Sequence, residues 1–324
     1  MSRRALRLHS LLLLLSLLLA AGPAAAQGLP LRLGVTPNLT DAPPLLALEL
    51  GFFREAGLDV KPSEFGQGTE VRNALAAAAI DLGSMADVPF LIGAAKSPLR
   101  GIALTSWGGE RQKIMVAARS AIRGIADLKG KRVASQAGSS LDATFREVLR
   151  QHGVDPSEVN IFNLRLPDMP SALASGSVDA MVDIEPFNAL AEERGTARKL
   201  MDFGRESLAP YVLVARQDVI ERAPETVVAS LRALLRAQAA LRERPDEAAE
   251  TLGRILARKG SALPASVIRK NLLEAHYTAD VDPPMMDFLG KVLAQLRREG
   301  KVGDADVGRL LDLRWLARAR GGKE

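Results

Sequence analysis

The 324-residue chain contains no cysteine. This absence excludes disulfide bonds, thiol chemistry, iron–sulfur clusters, zinc sites built from cysteine and lipid attachment through a cysteine. A chain of this length can bury enough apolar surface to be held together by its core alone.

Histidine and clustered positive charge are scarce as well. Of the three histidines, His152 and His276 stand alone, without the spacing of a metal site. No dense Lys/Arg stretch is interleaved with aromatic residues, and no P-loop pattern occurs. The formal net charge of +5 falls to +2 without residues 1–26, which hold three arginines and no acidic residue. We therefore expect no nucleic-acid partner, no metal and no cofactor.

The first 26 residues have the pattern of a secretory signal peptide. Arg3, Arg4 and Arg7 precede a leucine-rich run over residues 11–19, and a small-residue cleavage pattern ends near Ala26. The run is shorter than the roughly 20 residues that span a bilayer, which disfavours a membrane anchor. The arginine pair leaves both the general and the twin-arginine export routes open. We expect a soluble periplasmic protein.

After residue 26, short apolar stretches alternate with helical patterns. This alternation is typical of βαβ units and mainly parallel sheets. The predicted strands cover residues 31–35, 58–61, 79–85, 99–107, 113–118, 131–136, 159–164, 178–186 and 210–216.

Beyond Arg216 the pattern changes to helices alone. Helical periodicity predicts helices over residues 224–244, 245–259, 263–273 and 285–298, which would pack back on the first part of the chain. The expected organisation is an α/β fold with two lobes and a cleft. Residues 27–117 and 215–324 would form the first lobe, and residues 118–214 the second.

Small and hydroxyl-bearing residues follow several predicted strands. The turns "GQGTE", "GSMAD", "TSWGGE" and "AGSSLD" lie where the carboxyl ends of strands converge, which is where open α/β sheets bind ligands. Ser139 and Ser140 in the last of these begin a helix. They are either an ordinary N-cap or a place where free N–H groups meet a small anion.

Three longer segments resemble a known family in the same order. They are "LALELGFFREAGLDVKPSEFGQGTEVRNALAAAAIDLGSMADVPFLIGA", "IRGIADLKGKRVASQAGSS" and "LPDMPSALASGSVDAMVDIEPF". Together they resemble the substrate-binding proteins of ABC importers for aliphatic sulfonates, nitrate and taurine, a superfamily that includes thiamine-pyrimidine-precursor binders. The likeness covers nearly all of residues 30–316.

The resemblance implies a bilobed type II periplasmic binding fold with two parallel-rich sheets that close on a ligand by hinge motion. It also implies a small-molecule ligand, a membrane permease with its ATPase as partner, and a monomer. The ligand-binding residues that it implies are Asn38, Thr40, Gln67, Gly68, Thr69, Ser84, Asp87, Ser106, Trp107, Gly138, Ser139, Ser140, Asp183 and Glu185.

Departures from the family pattern leave two ligand classes open. Ile184 stands where sulfonate binders often have an aromatic residue, and no arginine lies in the matching turns to pair with a sulfonate or nitrate. Asp87, Asp183 and Glu185 would suit an amine or a heterocycle instead. Trp107 would either stack on the ligand or cover the hinge. A sensor subunit is the alternative to transport. An enzyme is not expected, because reacting relatives use a cysteine-rich segment that this chain lacks.

Overall fold

The computed structural model describes residues 28–321. The predicted signal peptide, residues 1–26, lies outside this range. Within it, no helix is both long enough and apolar enough to cross a membrane.

Ten strands form within residues 28–321, and each of the nine predicted strands is among them. The unpredicted strand is β9, whose mixed sequence "ARKLMD" is only partly buried and therefore lacks a clear apolar pattern. In chain order the strands are β1 (Leu29–Val35), β2 (Leu58–Glu64), β3 (Leu82–Ala86), β4 (Leu99–Ser106), β5 (Gln112–Ala117), β6 (Arg132–Ser135), β7 (Asn160–Asn163), β8 (Ala180–Ile184), β9 (Ala197–Asp202) and β10 (Tyr211–Arg216).

The strands form two five-stranded sheets, in the orders β2-β1-β3-β10-β4 and β7-β6-β8-β5-β9. Strands β1, β2 and β3 pair in parallel, as do β6, β7 and β8. Strand β10 runs antiparallel to both of its neighbours, and so does β5. The predicted α/β class with two mainly parallel sheets is confirmed.

The chain passes from one sheet to the other a few residues before the predicted lobe boundaries. Strand β5 lies before residue 118, yet it pairs in the second sheet. Strand β10 lies mostly before residue 215, yet it pairs in the first sheet. A buried strand has the same apolar pattern in either sheet, so the sequence does not indicate which sheet it joins. We use "first lobe" for residues 28–106 and 211–321, and "second lobe" for residues 112–202.

Helices cover the faces of both sheets. In chain order they are α1 (Ala42–Glu49), α2 (Phe52–Glu55), α3 (Gly68–Ala76), α4 (Asp87–Lys96), α5 (Ser140–Gln151), α6 (Met169–Ala174), α7 (Phe187–Glu193), α8 (Gln217–Arg222), α9 (Pro224–Glu243), α10 (Pro245–Arg258), α11 (Ala265–Leu273), α12 (Pro283–Arg298), α13 (Val307–Leu310) and α14 (Arg314–Ala319).

The long C-terminal helices begin where the sequence supplies a start signal. Pro224 and Pro245 are the first residues of α9 and α10, a position that needs no backbone N–H donor. Before α12, the Asp282 carboxylate accepts a hydrogen bond from the backbone N–H of Met285 at 2.9 Å. The four helices predicted after Arg216 are all present, as α9, α10, α11 and α12.

Each lobe has a hydrophobic core of its own. The buried residues of the second-lobe core all lie between Ile114 and Phe203. The first-lobe cores join strands β1, β3, β4 and β10 with the C-terminal helices, including Leu231 of α9, Leu252 of α10 and Leu289 of α12. The C-terminal helices therefore pack on the strands of the first sheet.

Candidate functional site

A cavity of about 50 Å³ lies between the lobes. Since one buried water needs about 10–15 Å³ measured in this way, the space suits a few waters or a small polar group. The wall lies at the carboxyl ends of strands such as β3, β6 and β8, as expected for an α/β fold. It is formed by Thr36, Asn38, Gly66, Gln67, Gly68, Thr69, Ser84, Ala86, Pro89, Gln112, Gln136, Ser139, Ser140, Leu141, Leu166, Ile184 and Tyr211.

Three helices begin in this wall. Helix α3 begins at Gly68, α4 follows Ala86, and α5 begins at Ser140. The first turn of a helix has N–H groups without intrahelical partners and a partial positive charge. Among residues 28–321, those that form the wall carry no charged side chain. The cavity is therefore neutral in side-chain charge and positive in backbone polarity.

Ser139 and Ser140 have different roles at the start of α5. The Ser139 hydroxyl accepts from the Asp142 N–H at 3.2 Å and donates to the Gln136 carbonyl at 2.7 Å. This is an N-cap. The Ser140 hydroxyl accepts from the Val88 N–H of the first lobe at 3.1 Å. Ser140 therefore connects the two lobes beside the cavity. The N-cap reading of this turn holds for Ser139, and anion binding at the turn stays a prediction.

The loop after β1 places Asn38 in the wall. The Asn38 Oδ1 accepts hydrogen bonds from the backbone N–H of Thr40 at 3.0 Å and from the Thr40 hydroxyl. Thr40 itself is buried below the wall and positions Asn38. Beside them, the Asp41 carboxylate accepts from the N–H and the hydroxyl of Thr36 at 2.7 and 2.9 Å. Burial raises the pKa of Asp41 to about 6.

The three acidic residues expected at the ligand do not line the cavity. Asp87 is buried behind the wall, and burial raises its pKa to about 6. Ile184 faces the cavity, and because side chains alternate along a strand, Asp183 before it faces away. Glu185, after the end of β8, is buried outside the wall. Burial raises the pKa of Asp183 well above its usual range. Glu185 forms an ion pair with Lys113 and accepts from the Ala189 N–H at 2.9 Å.

Trp107, Ser106 and Gly138 also lie outside the wall. The Trp107 ring stacks on His276 with ring centroids 3.8 Å apart, and the two backbones exchange hydrogen bonds of 3.0 and 2.8 Å. The Ser106 hydroxyl contacts the Thr40 carbonyl at 3.4 Å. Gly138 has a φ of +77° and forms the exposed turn before α5. The predicted residues that do form the wall are Asn38, Gln67, Gly68, Thr69, Ser84, Ser139 and Ser140.

Sequence reasoning missed Gln112, Gln136 and Tyr211 in the wall. Gln112 and Tyr211 are the first residues of β5 and β10, the strands with which the chain enters the other lobe. Burial raises the pKa of Tyr211 to about 12, so the phenol is neutral and can donate a hydrogen bond. Gln136 directly precedes the turn that contains Ser139 and Ser140. Its position after the end of β6 was the signal that could have identified it as a wall residue.

An arginine lies at the mouth of the cavity. Arg165 is exposed and directly precedes Leu166, which lies in the wall. Its Nη2 is 3.2 Å from the point where a Cβ would stand on Gly66 of the opposite lobe. Within residues 28–321 no carboxylate forms an ion pair with it. The same part of the chain has no group of three or more His, Asp or Glu side chains that could hold a metal ion.

Comparisons with known proteins agree with this architecture. Residues 38–248 match the NMT1/THI5-like family. A candidate aliphatic sulfonates-binding protein of Bacillus subtilis (strain 168) is 31% identical over 226 residues, 68% of each chain. The taurine-binding periplasmic protein of Escherichia coli (strain K12) is 28% identical over 200 residues, 60% of this chain and 61% of its own length.

Solved structures share the fold across almost the whole chain. The alkanesulfonate-binding protein SsuA from Xanthomonas axonopodis pv. citri, bound to MOPS, has a TM-score of 0.75 and 24% identity over 91% of this chain and 99% of its own. The desulfurization enzyme DSZB has a TM-score of 0.72 and 17% identity over 90% and 99%. Proteins with this fold therefore include both binding proteins and an enzyme, so the function has to be inferred from the site and not from the fold.

Proposed function

The chain belongs to the NMT1/THI5-like family, and from this premise we propose that it is the solute-binding component of an ABC importer. It acts in the periplasm after loss of residues 1–26, and it presents its ligand to a membrane permease that works with an ATPase. The ligand is a small organic anion of the alkanesulfonate class, held in the cavity between the lobes.

The convergence of three helix N-termini on one neutral cavity supports an anionic ligand. The starts of α3 and α5 supply N–H donors to the anion, and the start of α4 adds partial positive charge, since the Val88 N–H is already bonded to Ser140 and Pro89 has none. The Tyr211 hydroxyl adds a donor from the first lobe. An amine would find no carboxylate among the described residues of this wall, since Asp87, Asp183 and Glu185 lie behind it or face away.

Binding and lobe closure are one event in this proposal. An anion that touches α3 and α5 at once makes its full set of contacts only when the lobes are closed, so it favours the closed form. The Val88–Ser140 hydrogen bond and the 3.6 Å ion pair between Lys113 of β5 and Glu274 after α11 join the lobes in that form.

We also propose that the protein binds its ligand without converting it. The relatives named above are binding proteins. His276 stacks on Trp107, and the Nδ1 of His152 lies 2.9 Å from the Val148 carbonyl. Neither histidine is part of the wall, where a base could activate a serine. Recovery of unchanged ligand after long incubation, followed by NMR, tests this point.

A thermal-shift screen of residues 27–324 tests the ligand class. The panel contains alkanesulfonates, nitrate, bicarbonate, pyrimidines and amines. A ligand at 100 times its Kd stabilises the folded protein by about 2.7 kcal/mol, which is a readily measured rise in Tm. We expect the rise with alkanesulfonates. A rise only with amines or heterocycles would contradict the proposal.

A further inference from the structure

Asp87 is a buried carboxyl group at the seam between the lobes. It is the first residue of α4 in the first lobe and is 2% exposed. Together with Ser140, Ala143 and Thr144 of α5 in the second lobe, it lines a second cavity of about 210 Å³, which we call the side cavity. Ala143 also packs against the core of the first lobe. Part of the cover over Asp87 therefore comes from the opposite lobe.

Separation of the lobes uncovers this carboxyl group. When the lobes open, α5 moves away from α4 and water reaches Asp87. With the lobes in contact, burial raises the pKa of Asp87 to about 6, against the opposing effect of hydrogen bonds with the Ser140 hydroxyl and the Val88 N–H. A carboxyl group in water has a pKa of about 4. Between these two values, the closed form holds a proton that the open form releases.

The other carboxyl group behind the wall of the ligand cavity does not lie at the seam. Asp41 is fully buried, and its hydrogen-bond partners Thr36 and Ser84 both belong to the first lobe. Burial raises its pKa to about 6 as well. Because opening leaves these partners in place, Asp41 keeps its surroundings when the lobes separate.

The charged groups that face Asp87 come from three packed elements and offset one another. Two carboxylates and two cations line the side cavity with it, so burial dominates its protonation. Tyr211 of β10 is neutral, since burial raises its pKa to about 12. The four charged residues are Glu147 of α5, Glu206 between β9 and β10, and Lys291 and Arg298 of α12.

The negative charge of the ligand favours a proton on Asp87. The described residues that form the wall of the ligand cavity carry no charged side chain, so a bound sulfonate adds one negative charge to the seam. Protonation of Asp87 removes one, and the closed form then buries no additional net charge. Resting on the proposed function, we propose that closure on an anionic ligand is coupled to uptake of one proton by Asp87, so that the affinity rises as the pH falls.

Calorimetric titration with ethanesulfonate at pH 5 and pH 7.5 tests this coupling. The sulfonate stays ionised across this range, so any proton taken up goes to the protein. With a pKa of about 6 in the closed form and about 4 in the open form, the affinity should be about tenfold higher at pH 5. The gain is present below the pKa of the closed form and is lost as the pH rises through it. Buffers with different heats of ionisation should reveal uptake of about one proton per ligand at pH 5.

Two substitutions locate the proton. Asp87→Asn keeps an acceptor for the Val88 N–H and removes the titrating group. Its affinity for ethanesulfonate should be the same at both pH values, without proton uptake. Asp41→Asn is the matched control, because it removes a carboxyl group of similar pKa whose partners all lie in the first lobe. It should keep both the dependence on pH and the proton uptake.

Equal affinity of the unmodified protein at the two pH values would overturn the proposal. So would an Asp87→Asn protein that still takes up a proton, or an Asp41→Asn protein that no longer does.

If ethanesulfonate binds at neither pH, the proposed ligand class fails, and the ligand-free lobes then test the coupling itself. Since the chain has no cysteine, spin labels on Lys61→Cys and Phe162→Cys report the distance between the edge strands β2 and β7. This distance should be shorter at pH 5 than at pH 7.5, and independent of pH once Asp87→Asn is added. A distance that does not change with pH while Asp87 is present would overturn the coupling.

Discussion

Two buried carboxyl groups, Asp41 and Asp87, lie directly behind the cavity wall. Burial raises the pKa of each to about 6, from 3.8 for an unburied aspartate. The folded protein therefore holds more protons at these sites than the unfolded chain between about pH 4 and pH 6. The stability that they contribute is greatest below that window and is lost as the pH rises through it.

Replacing the buried charge should stabilise the protein at neutral pH. In the unmodified protein, the Val88 N–H donates to the Asp87 carboxylate at 2.8 Å. In Asp87→Asn, the amide oxygen can still accept this hydrogen bond, but no charge is buried. We expect the free energy of unfolding to rise by about 1–3 kcal/mol at pH 7.5 and the gain to shrink towards pH 4.5. Urea unfolding at the two pH values measures it. A gain that is equal at both would show that Asp87 does not titrate in this range.

The two serines at the start of α5 should respond differently to alanine. Ser139→Ala removes a helix cap and should lower the free energy of unfolding by about 1 kcal/mol. Ser140→Ala removes the acceptor of a hydrogen bond between the lobes and should weaken ligand binding about five- to tenfold with a smaller change in ligand-free Tm. Thermal unfolding and titration of both variants separate the effects. Equal affinities for the two variants would mean that the contact between the lobes does not contribute to closure.

Arg165 should act on the rate of ligand capture. Its exposed guanidinium at the mouth attracts anions from solution, an effect that salt screens. Arg165→Gln should lower the association rate constant several-fold at low salt and flatten its salt dependence, which stopped-flow fluorescence can follow. Arg150→Gln is the control, because Arg150 is exposed on the same lobe but paired with Glu147. Identical salt dependence in both variants would exclude a role for Arg165.

At the scale of elements, the two segments that connect the lobes, one between β4 and β5 and the other between β9 and β10, pack closely against each other. At Gly109 they leave no room for a side chain. A Cβ on Gly109, between β4 and β5, would stand 2.0 Å from the Ser207 carbonyl oxygen and 2.7 Å from that of Phe203, both between β9 and β10. Contacts this short with backbone atoms can be relieved only by moving one crossing relative to the other.

Gly109→Ala should therefore disturb the hinge itself. We expect a loss of about 1–3 kcal/mol in the free energy of unfolding, together with weaker ligand binding, because the lobes would be displaced relative to each other. Gly124→Ala is the matched control, since a Cβ there meets nothing within 4 Å and the φ of −149° suits any residue. A Gly109→Ala protein as stable as this control would contradict the packing described here.

The sequence predicts elements better than it predicts which side of an element faces the ligand. Apolar periodicity identified the strands and the long C-terminal helices because burial on one face imposes it directly. The turns after β2 and β6 were identified because strand ends converge in this fold, whereas most of "GSMAD" belongs to strand β3 itself. Alternation along β8 did not reveal that Ile184, rather than Asp183, faces the cavity. Gln112 and Tyr211 were missed because strand pattern does not reveal a change of sheet.

At the scale of the whole molecule, the second lobe is continuous in sequence and the first is not. Strands β5 to β9 complete the second sheet from residues 112–202 alone. In the first sheet, β10 lies between β3 and β4, and β4 has no other neighbouring strand. Contacts between distant parts of a chain form more slowly than local ones, because longer loops must close.

During refolding, the backbone amides of the second lobe should therefore become protected from hydrogen exchange before those of the first lobe. In pulsed hydrogen exchange, the amides of β6 and β8 should become protected before those of β4, which has to wait for β10. Simultaneous protection of β4 and β6 would show that the two sheets form as one cooperative unit.

The same interleaving has a consequence for a chain emerging from a ribosome with its N-terminus first. Until residues 211–216 have appeared, β3 keeps one bare edge and β4 keeps two, although the neighbouring second lobe can already be complete. Bare strand edges invite pairing with other chains. A nascent chain arrested shortly before residue 211 thus has a complete later lobe and an unfinished earlier one, and it is the length at which this protein most needs a chaperone.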